Sequence, residues 1–381
     1  MTQPRTTGGL IIAGGGTGGH ISPGLAVVET VLARFPHWPV TWLGSTRPLE
    51  SGFLAPFADR IEHVALPVLP WREAKSRPLR FLGAAERSYR RAVSMLRQRS
   101  PRALLGLGGY ISAPGVLAAW RCRVPIVLLE QNVLPGRATR WLQRFAAATS
   151  VSFEETRARL QPRYPVVVTG NPIRRGFRDL NAMVVQQLSN TDAAPACRPF
   201  TLLVLGGSLG SEAIDAAMLH LLKADSACLT GCRVWHQASG GEAADQLSNE
   251  YRQWNITAET ASLFSPLAER LTQADLVICR GGATTLAELA AAGVPACLVP
   301  WRKAVDDHQW ANVQPFVASG GSVLLDESTG SERMAAELAA LIRDLRWSQP
   351  RRTQMRQAML SHARPNAADE VVDLIVRLGR A

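Results

Sequence analysis

No run of apolar residues in the 381-residue chain approaches the ~18–20 needed to cross a bilayer. The N-terminal MTQPRTTGG holds no apolar stretch, so no secretory signal peptide is expected. Charged residues make up only 19%, but apolar residues reach 46%, which excludes a disordered chain. The six cysteines are scattered. Cys228 and Cys232 are the closest two, and no second pair or His pair completes a zinc spacing. Buried, reduced thiols in a cytosolic protein are expected. No G-x-x-x-x-G-K-[ST] occurs, which excludes a P-loop. No Asp-x-Asp occurs either; Asp306 and Asp307 are adjacent, so no metal or other cofactor is expected to be required. Acid is in short supply: Lys plus Arg is 42 against 31 Asp plus Glu, a net charge of +11 that suggests an anionic partner.

What is present is a recurring order of strand, glycine-rich turn and helix. Leu10–Ala13 is a short apolar run, followed by Gly14–Gly19 and a helical stretch from about Pro23 to Phe35. Val40–Leu43, Ala103–Leu107, Val124–Leu129 and Val166–Thr169 read as strands, and a helical stretch near Pro114–Trp120 follows Gly108–Gly109. The second half restarts with strand Phe200–Leu205, turn Gly206–Gly210 and a helix to about Leu222. Strands Arg233–His236, Leu276–Cys279 and Ala296–Val299 follow. Short apolar strands alternating with helices of about 10–15 residues predict parallel βαβ units. The fold class is therefore α/β: two Rossmann-like, doubly wound parallel-sheet domains facing across a cleft. The first is expected over 1–172, joined by a C-terminal amphipathic helix within 364–381, and the second over 173–363. The polar segment Val184–Pro199 reads as an exposed loop.

Five glycines surround one threonine in Gly14-Gly-Gly-Thr-Gly-Gly-His20, more than a tight turn requires. Such a loop lets the backbone approach a phosphate, and the helix behind it supplies free N–H groups. Gly14, Gly16 and Gly19 fit G-x-G-x-x-G. A dinucleotide site also needs an acid at the end of the second strand, and Gly44–Ser45 stands there, which disfavours NAD. Gly108-Gly-Tyr-Ile-Ser112 and Gly206-Gly-Ser-Leu-Gly210 repeat the design, as if for two phosphorylated ligands. A fourth turn, Arg280–Glu288, can aim the N–H groups of a helix starting near Ala283 at a diphosphate. Phosphate would repel Glu288, one turn inside that helix. A sugar diol suits it better; the plain alternative is an exposed helix glutamate.

With Glu130-Gln-Asn132, Gly170-Asn-Pro-Ile-Arg174 and Asp307-His-Gln309 followed by Asn312, these loops resemble the GT-B glycosyltransferases of family 28 that build lipid-linked peptidoglycan precursors. The matches come in family order and span nearly the whole chain. The resemblance implies inverting transfer of N-acetylglucosamine from UDP-N-acetylglucosamine to the 4-hydroxyl of undecaprenyl-diphospho-muramoylpentapeptide. It places the nucleotide sugar in the C-terminal domain and the lipid diphosphate against the N-terminal glycine loops. Carried over by position, Thr17, Gly18, Gly19, Asn132 and Arg174 would contact the donor, and Ser208 its diphosphate. Phe264 would hold uracil through its backbone. Ala283, Thr284, Thr285, Leu286 and Ala287 would present the helix N-terminus to the phosphates. Glu288 would take ribose hydroxyls and Gln309 sugar hydroxyls. Gly15, Gly16, Gly108, Gly109, Tyr110 and Ser112 would face the acceptor diphosphate.

His20 is the candidate general base, because a helix N-terminus favours the neutral imidazole. The alternative is that it only orients the loop. His37, His63, His220 and His362 have no visible companions; His236 and His308 lie beside the motifs with no chemistry assigned. The chain departs from the family in Pro48 for Gly, Leu209 for Gln, Ser211 for Ala, Asp215 for Asn and Gly281 for Ser. A UDP-N-acetylglucosamine 2-epimerase, another lipid glycosyltransferase and a non-catalytic nucleotide-sugar binder are the alternatives.

Arginines crowd the stretch from Arg72 to Arg102, with Trp71, Phe81 and Leu82 among them. Arg137, Arg140 and Arg144 stand beside Trp141, Leu142 and Phe145. Basic residues interleaved with bulky apolar ones fit an anionic membrane surface, here the cytoplasmic face of the inner membrane. A solvated helix face is the plain alternative. No nucleic-acid-binding signature is present. A cell-wall synthesis complex is a partner implied by the resemblance alone.

Overall fold

The structure, a computed structural model, describes residues 8–70, 72–189, 198–207, 210–302 and 307–379. Trp71, Cys197, Ser208, Leu209 and Asp306 lie outside the described residues. The chain divides into two units, Met1–Arg175 with Asn366–Ala381, and Gly176–Pro365.

The first unit is built on β1 (Leu10–Ala13), β2 (Val40–Gly44), β3 (Ile61–Ala65), β4 (Ala103–Gly106), β5 (Ile126–Glu130), β6 (Ala148–Val151) and β7 (Val166–Val168). Their spatial order is β3-β2-β1-β4-β5-β6-β7, and every neighbouring pair is parallel. The second unit is built on β8 (Thr201–Leu205), β9 (Arg233–Gln237), β10 (Thr257–Ala261), β11 (Leu276–Cys279), β12 (Ala296–Leu298) and β13 (Ser322–Leu324). Their order is β10-β9-β8-β11-β12-β13, again parallel throughout. Helices cover both sheets, so β1, β4, β5, β8 and β11 are buried along their whole length, which is why they read as unbroken apolar runs.

Strand order decides where ligands can sit. In the first sheet the order reverses between β1 and β4, and in the second between β8 and β11. At such a switch point the connections leave in opposite directions and open a crevice beyond the strands' C-terminal ends. The loops leaving β1 and β4 are Gly14–Gly19 and Leu107–Gly109; those leaving β8 and β11 are Gly206–Gly210 and Arg280–Gly282. Register levels the paired strand ends: Ala13 faces Gly106 and Leu205 faces Cys279. All four glycine turns therefore stand at the two switch points.

The C-terminal helix Ala367–Leu378 returns to the first unit. It buries Val371, Val372, Leu374 and Ile375 against the core that includes Leu25, Val28 and Val31 of helix Gly18–Arg34. Arg34 pins it through Asp373 at 2.6 Å.

Several local expectations are corrected. Val184–Ser189 is not a loop: it continues helix Arg175–Ser189, because Phe177, Leu180 and Val184 recur on one buried face. The change of unit falls after Arg175 rather than 172, since Glu29 in the first helix takes the Arg174 guanidinium (3.0 Å) and the Arg175 N–H (2.8 Å). The helices after β1 and β4 begin inside the glycine runs, at Gly18 and Gly109, each with its proline (Pro23, Pro114) on the second turn. Strands β3, β6, β10 and β13 had no counterpart in the apolar pattern.

Candidate functional site

The loop leaving β1 has three successive glycines at positive φ: Gly14 (154°), Gly15 (152°) and Gly16 (91°). A Cβ on Gly15 would fall 2.1 Å from Glu50 Oε2 and one on Gly44 1.5 Å from Glu50 Oε1, so only glycine leaves room for that carboxylate. Glu50 is wholly buried and accepts from the Ser45 N–H (2.8 Å), the Ser45 hydroxyl (3.0 Å) and His63 Nε2 (3.2 Å). His63 thus has a companion that the sequence did not reveal. The Gly14 N–H donates to the Leu43 carbonyl and its own carbonyl accepts from Trp42 Nε1, which fixes the loop on β2.

Thr17 is the N-cap residue of helix Gly18–Arg34, and its hydroxyl lies 2.9 Å from His20 Nδ1. His20 is half-buried in the first turn, and a Cβ on Gly108 would stand 3.7 Å from His20 Nε2. The two glycine loops of this unit therefore meet at His20. Gly108 and Gly109 take positive φ (82° and 69°) where the second loop turns into its helix. Tyr110 is half-buried, and its hydroxyl accepts from Arg47. Ser112 is buried and turned into the loop, donating to the Gly109 carbonyl at 2.9 Å.

Asn132 is held by Glu130, whose Oε1 accepts from its backbone N–H (3.1 Å) and side-chain amide (3.3 Å), while Oε2 accepts from the Gly136 N–H (3.0 Å). Arg174 pairs with Glu29 and lies over the Phe57 ring. Thr17, Gly18, Gly19, His20, Asn132 and Arg174, with all the expected acceptor residues, thus belong to the first unit.

The remaining described donor residues belong to the second unit. Gly207 and Gly210 take positive φ (85° and 73°), and a Cβ on Gly210 would strike Ser239 Cα at 2.1 Å. Gln237 Nε2 donates to the Gly207 carbonyl at 3.0 Å. Behind this loop runs a buried relay. Asp215 Oδ1 pairs with His236 Nε2 (3.1 Å), His236 Nδ1 with the Tyr251 hydroxyl (3.0 Å), and Asp215 Oδ2 accepts from the Ser239 N–H (2.9 Å). Burial pushes the Asp215 carboxyl up, but the bonds from His236 and Ser239 outweigh it and hold it below the usual carboxylate value. Burial raises the Tyr251 hydroxyl well above its ordinary value, so it stays protonated. This relay uses one of the departures from the family pattern. Ser211, another, caps helix Glu212–Asp225 by accepting from the Ile214 N–H.

After β11, Gly282 is the N-cap residue of helix Ala283–Ala292, and the Leu286 N–H returns to its carbonyl at 2.9 Å. Ala283, Thr284, Leu286 and Glu288 are buried; Thr285 and Ala287 are half-buried. Burial of Glu288 removes the exposed-glutamate alternative. The Gly281 departure has a steric cause: a Cβ there would lie 2.6 Å from Val313 Cγ1 and 2.8 Å from the Gln309 carbonyl. Helix His308–Ala318 packs directly on this loop, and Asn312 Nδ2 donates to the Gly281 carbonyl at 3.2 Å. Gln309 Oε1 accepts from the Trp301 N–H at 2.9 Å, which fixes the side-chain amide on the strand-end loop. Arg280 donates to the Val299 carbonyl and to Glu327 Oε2 (2.7 Å), and Glu327 Oε1 accepts from the Arg302 N–H. Phe264 is buried under the Arg270 guanidinium, 4.0 Å from its ring centroid.

The arginine-rich helix Pro78–Arg99 buries only Ala84, Ser88, Ala92 and Leu96, a single row spaced four residues apart. Leu79 and Leu82 are 85% and 62% exposed, and Trp120 and Trp141 are exposed too. Leu142 is buried and belongs to the core instead. No helix among the described residues is long and apolar enough to cross a membrane.

Sequence reasoning missed Arg47, Glu50, the Asp215–His236–Tyr251 relay and Arg280–Glu327. Their pairings carry no motif: Arg47 meets Tyr110, Asp215 meets His236 and Arg280 meets Glu327 only in the fold, and the Ser45–Glu50 contact has no signature spacing.

Residues 10–151 match the family model for the glycosyltransferase family 28 N-terminal domain, and residues 201–371 that for its C-terminal domain. A protein of Alkalilimnicola ehrlichii named UDP-N-acetylglucosamine--N-acetylmuramyl-(pentapeptide) pyrophosphoryl-undecaprenol N-acetylglucosamine transferase is 37% identical, over 100% of both chains. One of the same name from Geobacter metallireducens is 34% identical over 96% of this chain and 97% of its own. The crystal structure of MurG from Acinetobacter baumannii is similar with a TM-score of 0.75 and 28% identity, covering 97% of this chain and 99% of that one. A UDP-GlcNAc 2-epimerase from Neisseria meningitidis, 13% identical over 97% of this chain and 99% of its own, shares the fold at a TM-score of 0.64. The chain belongs to glycosyltransferase family 28.

Proposed function

We propose that the chain transfers N-acetylglucosamine, with inversion, from UDP-N-acetylglucosamine to the 4-hydroxyl of the lipid-linked muramoyl-pentapeptide, completing the disaccharide precursor of peptidoglycan. The observation that carries this reading is relatedness over the whole length to enzymes named for that transfer. Glycine loops at both switch points support it, because the reaction needs two diphosphate sites.

In this reading His20 is the base. When Nδ1–H donates to the Thr17 hydroxyl, Nε2 is the unprotonated ring nitrogen, the one with the basicity to take the proton of the acceptor hydroxyl. The acceptor oxygen then bonds to the anomeric carbon as the bond to UDP breaks, and the electron pair leaves with the diphosphate. The helix N-terminus at Ala283 and the backbone at Gly207 and Gly210 would meet that charge. Glu288 and Gln309 take donor hydroxyls. Gly15, Gly16, Gly108, Gly109 and Tyr110 hold the acceptor diphosphate. Backbone N–H groups supply the electrophilic stabilisation, so turnover should persist in a chelator. The exposed Leu79, Leu82 and Trp120 with their surrounding arginines suit peripheral binding to an anionic bilayer, where a lipid-linked acceptor resides.

The test is a transfer assay with labelled UDP-N-acetylglucosamine and a short-chain acceptor analogue. Label should enter the lipid fraction with matching UDP release, and only when acceptor is present. UDP release without acceptor-bound label would contradict the reading.

A further inference from the structure

We propose that Arg47 belongs to the acceptor site and that its guanidinium binds the acceptor's diphosphate; this rests on the reading of the N-terminal glycine loops given above. One guanidinium spans both loops of the first unit. Nη1 donates to the Gly16 carbonyl at 3.2 Å, and Nη2 to the Tyr110 hydroxyl at 3.0 Å. Both partners are neutral oxygens, so neither bond cancels the cation's charge. The glycine loops offer only uncharged N–H groups, whereas a diphosphate is met most strongly by a charged, planar donor fork. Two bonds use part of that fork, and the residue is exposed.

The backbone at Arg47 is built to hold this position. Pro48 is the first residue of helix Pro48–Leu54, and a residue before proline is confined to extended backbone; Arg47 has φ −71° and ψ 134°. Its carbonyl accepts from the Glu50 and Ser51 N–H groups, and its N–H donates to the Ser45 hydroxyl. That hydroxyl is tied in turn to the buried Glu50 carboxylate. Proline at 48, a departure from the family pattern, therefore stiffens the segment that presents the guanidinium. The buried Glu50 anchors the same segment against Gly15.

The test compares wild type, R47Q and R47K in steady-state transfer, using two acceptor analogues that differ only in a diphosphate or a monophosphate link. R47Q should raise KM for the diphosphate acceptor about tenfold to a hundredfold, the range for one hydrogen bond to a charged group. The donor KM should stay within about twofold. The loss should be smaller with the monophosphate acceptor, and R47K should recover part of it. Equal losses on both acceptors would make Arg47 a brace between the loops and overturn the inference, as would an unchanged acceptor KM. Failure of wild type to label either acceptor would instead overturn the reading of the loops, and this inference with it.

Discussion

Replacing Asp215 with alanine removes a carboxylate that serves two donors in the interior of the second unit. His236 Nε2 and the Ser239 N–H both lose their acceptor, and His236 has no access to water to replace it. Each stranded group costs about 1–3 kcal/mol, so a loss near 3 kcal/mol is expected. For a unit of about 190 residues this lowers the melting temperature by roughly 6–12 °C. Asparagine keeps one carbonyl oxygen for one donor and turns an NH2 group towards the other, so Asp215→Asn should fall by about half as much. The carboxyl is held below its usual value in the folded state. Its contribution is therefore fully present above the ordinary carboxylate value and is lost as pH falls through the lowered one. The gap between wild type and Asp215→Asn should be flat near neutrality and close below about pH 4. Because Ser239 backs Gly210, UDP affinity should fall with stability. Calorimetry across the pH range reads all of this. Asp215→Ala melting within about 1 °C of wild type at neutral pH would refute the relay as a structural element.

His20→Ala should cut turnover by about 10²–10⁴-fold with far less effect on UDP affinity, and equal losses in the two would contradict its role as base. Gly281→Ser, which restores the residue usual in the family, should destabilise by about 1–3 kcal/mol and raise the donor KM, because its Cβ meets Val313 and the Gln309 carbonyl; denaturant titration and donor kinetics read the two effects. Burial pushes the Cys228 and Cys279 thiols up to about 12 and raises Cys232 and Cys297 as well, so all four should resist alkylation at pH 8 until the protein is unfolded, as peptide mapping would show.

Strands buried on both faces were legible because burial leaves continuous apolar runs. Of the edge strands only the all-valine β7 was: β10 (Thr257–Ala261) has no fully buried residue, and β3 keeps Glu62 and His63 exposed. β6 is interior yet polar, hidden by Thr149 and Ser150, and the Ser150 hydroxyl is satisfied by Thr169 at 2.7 Å. Prolines at 23 and 114 misled the helix starts, since proline favours a first helical position and here stands on the second turn. The glycine loops were legible because positive φ and close approach demand glycine locally. Arg47 and Tyr110 lie 63 residues apart, and Asp215 and His236 lie 21 apart, so only the folded sheets bring them together.

The central claim is transfer with inversion to a defined hydroxyl. Its most direct test is NMR of the products formed from UDP-N-acetylglucosamine and the short-chain acceptor. The products should be UDP and a new β-linked N-acetylglucosamine on the 4-hydroxyl of the muramoyl unit. An α linkage, a different hydroxyl, or a donor epimerised at C2 with the acceptor untouched would contradict it.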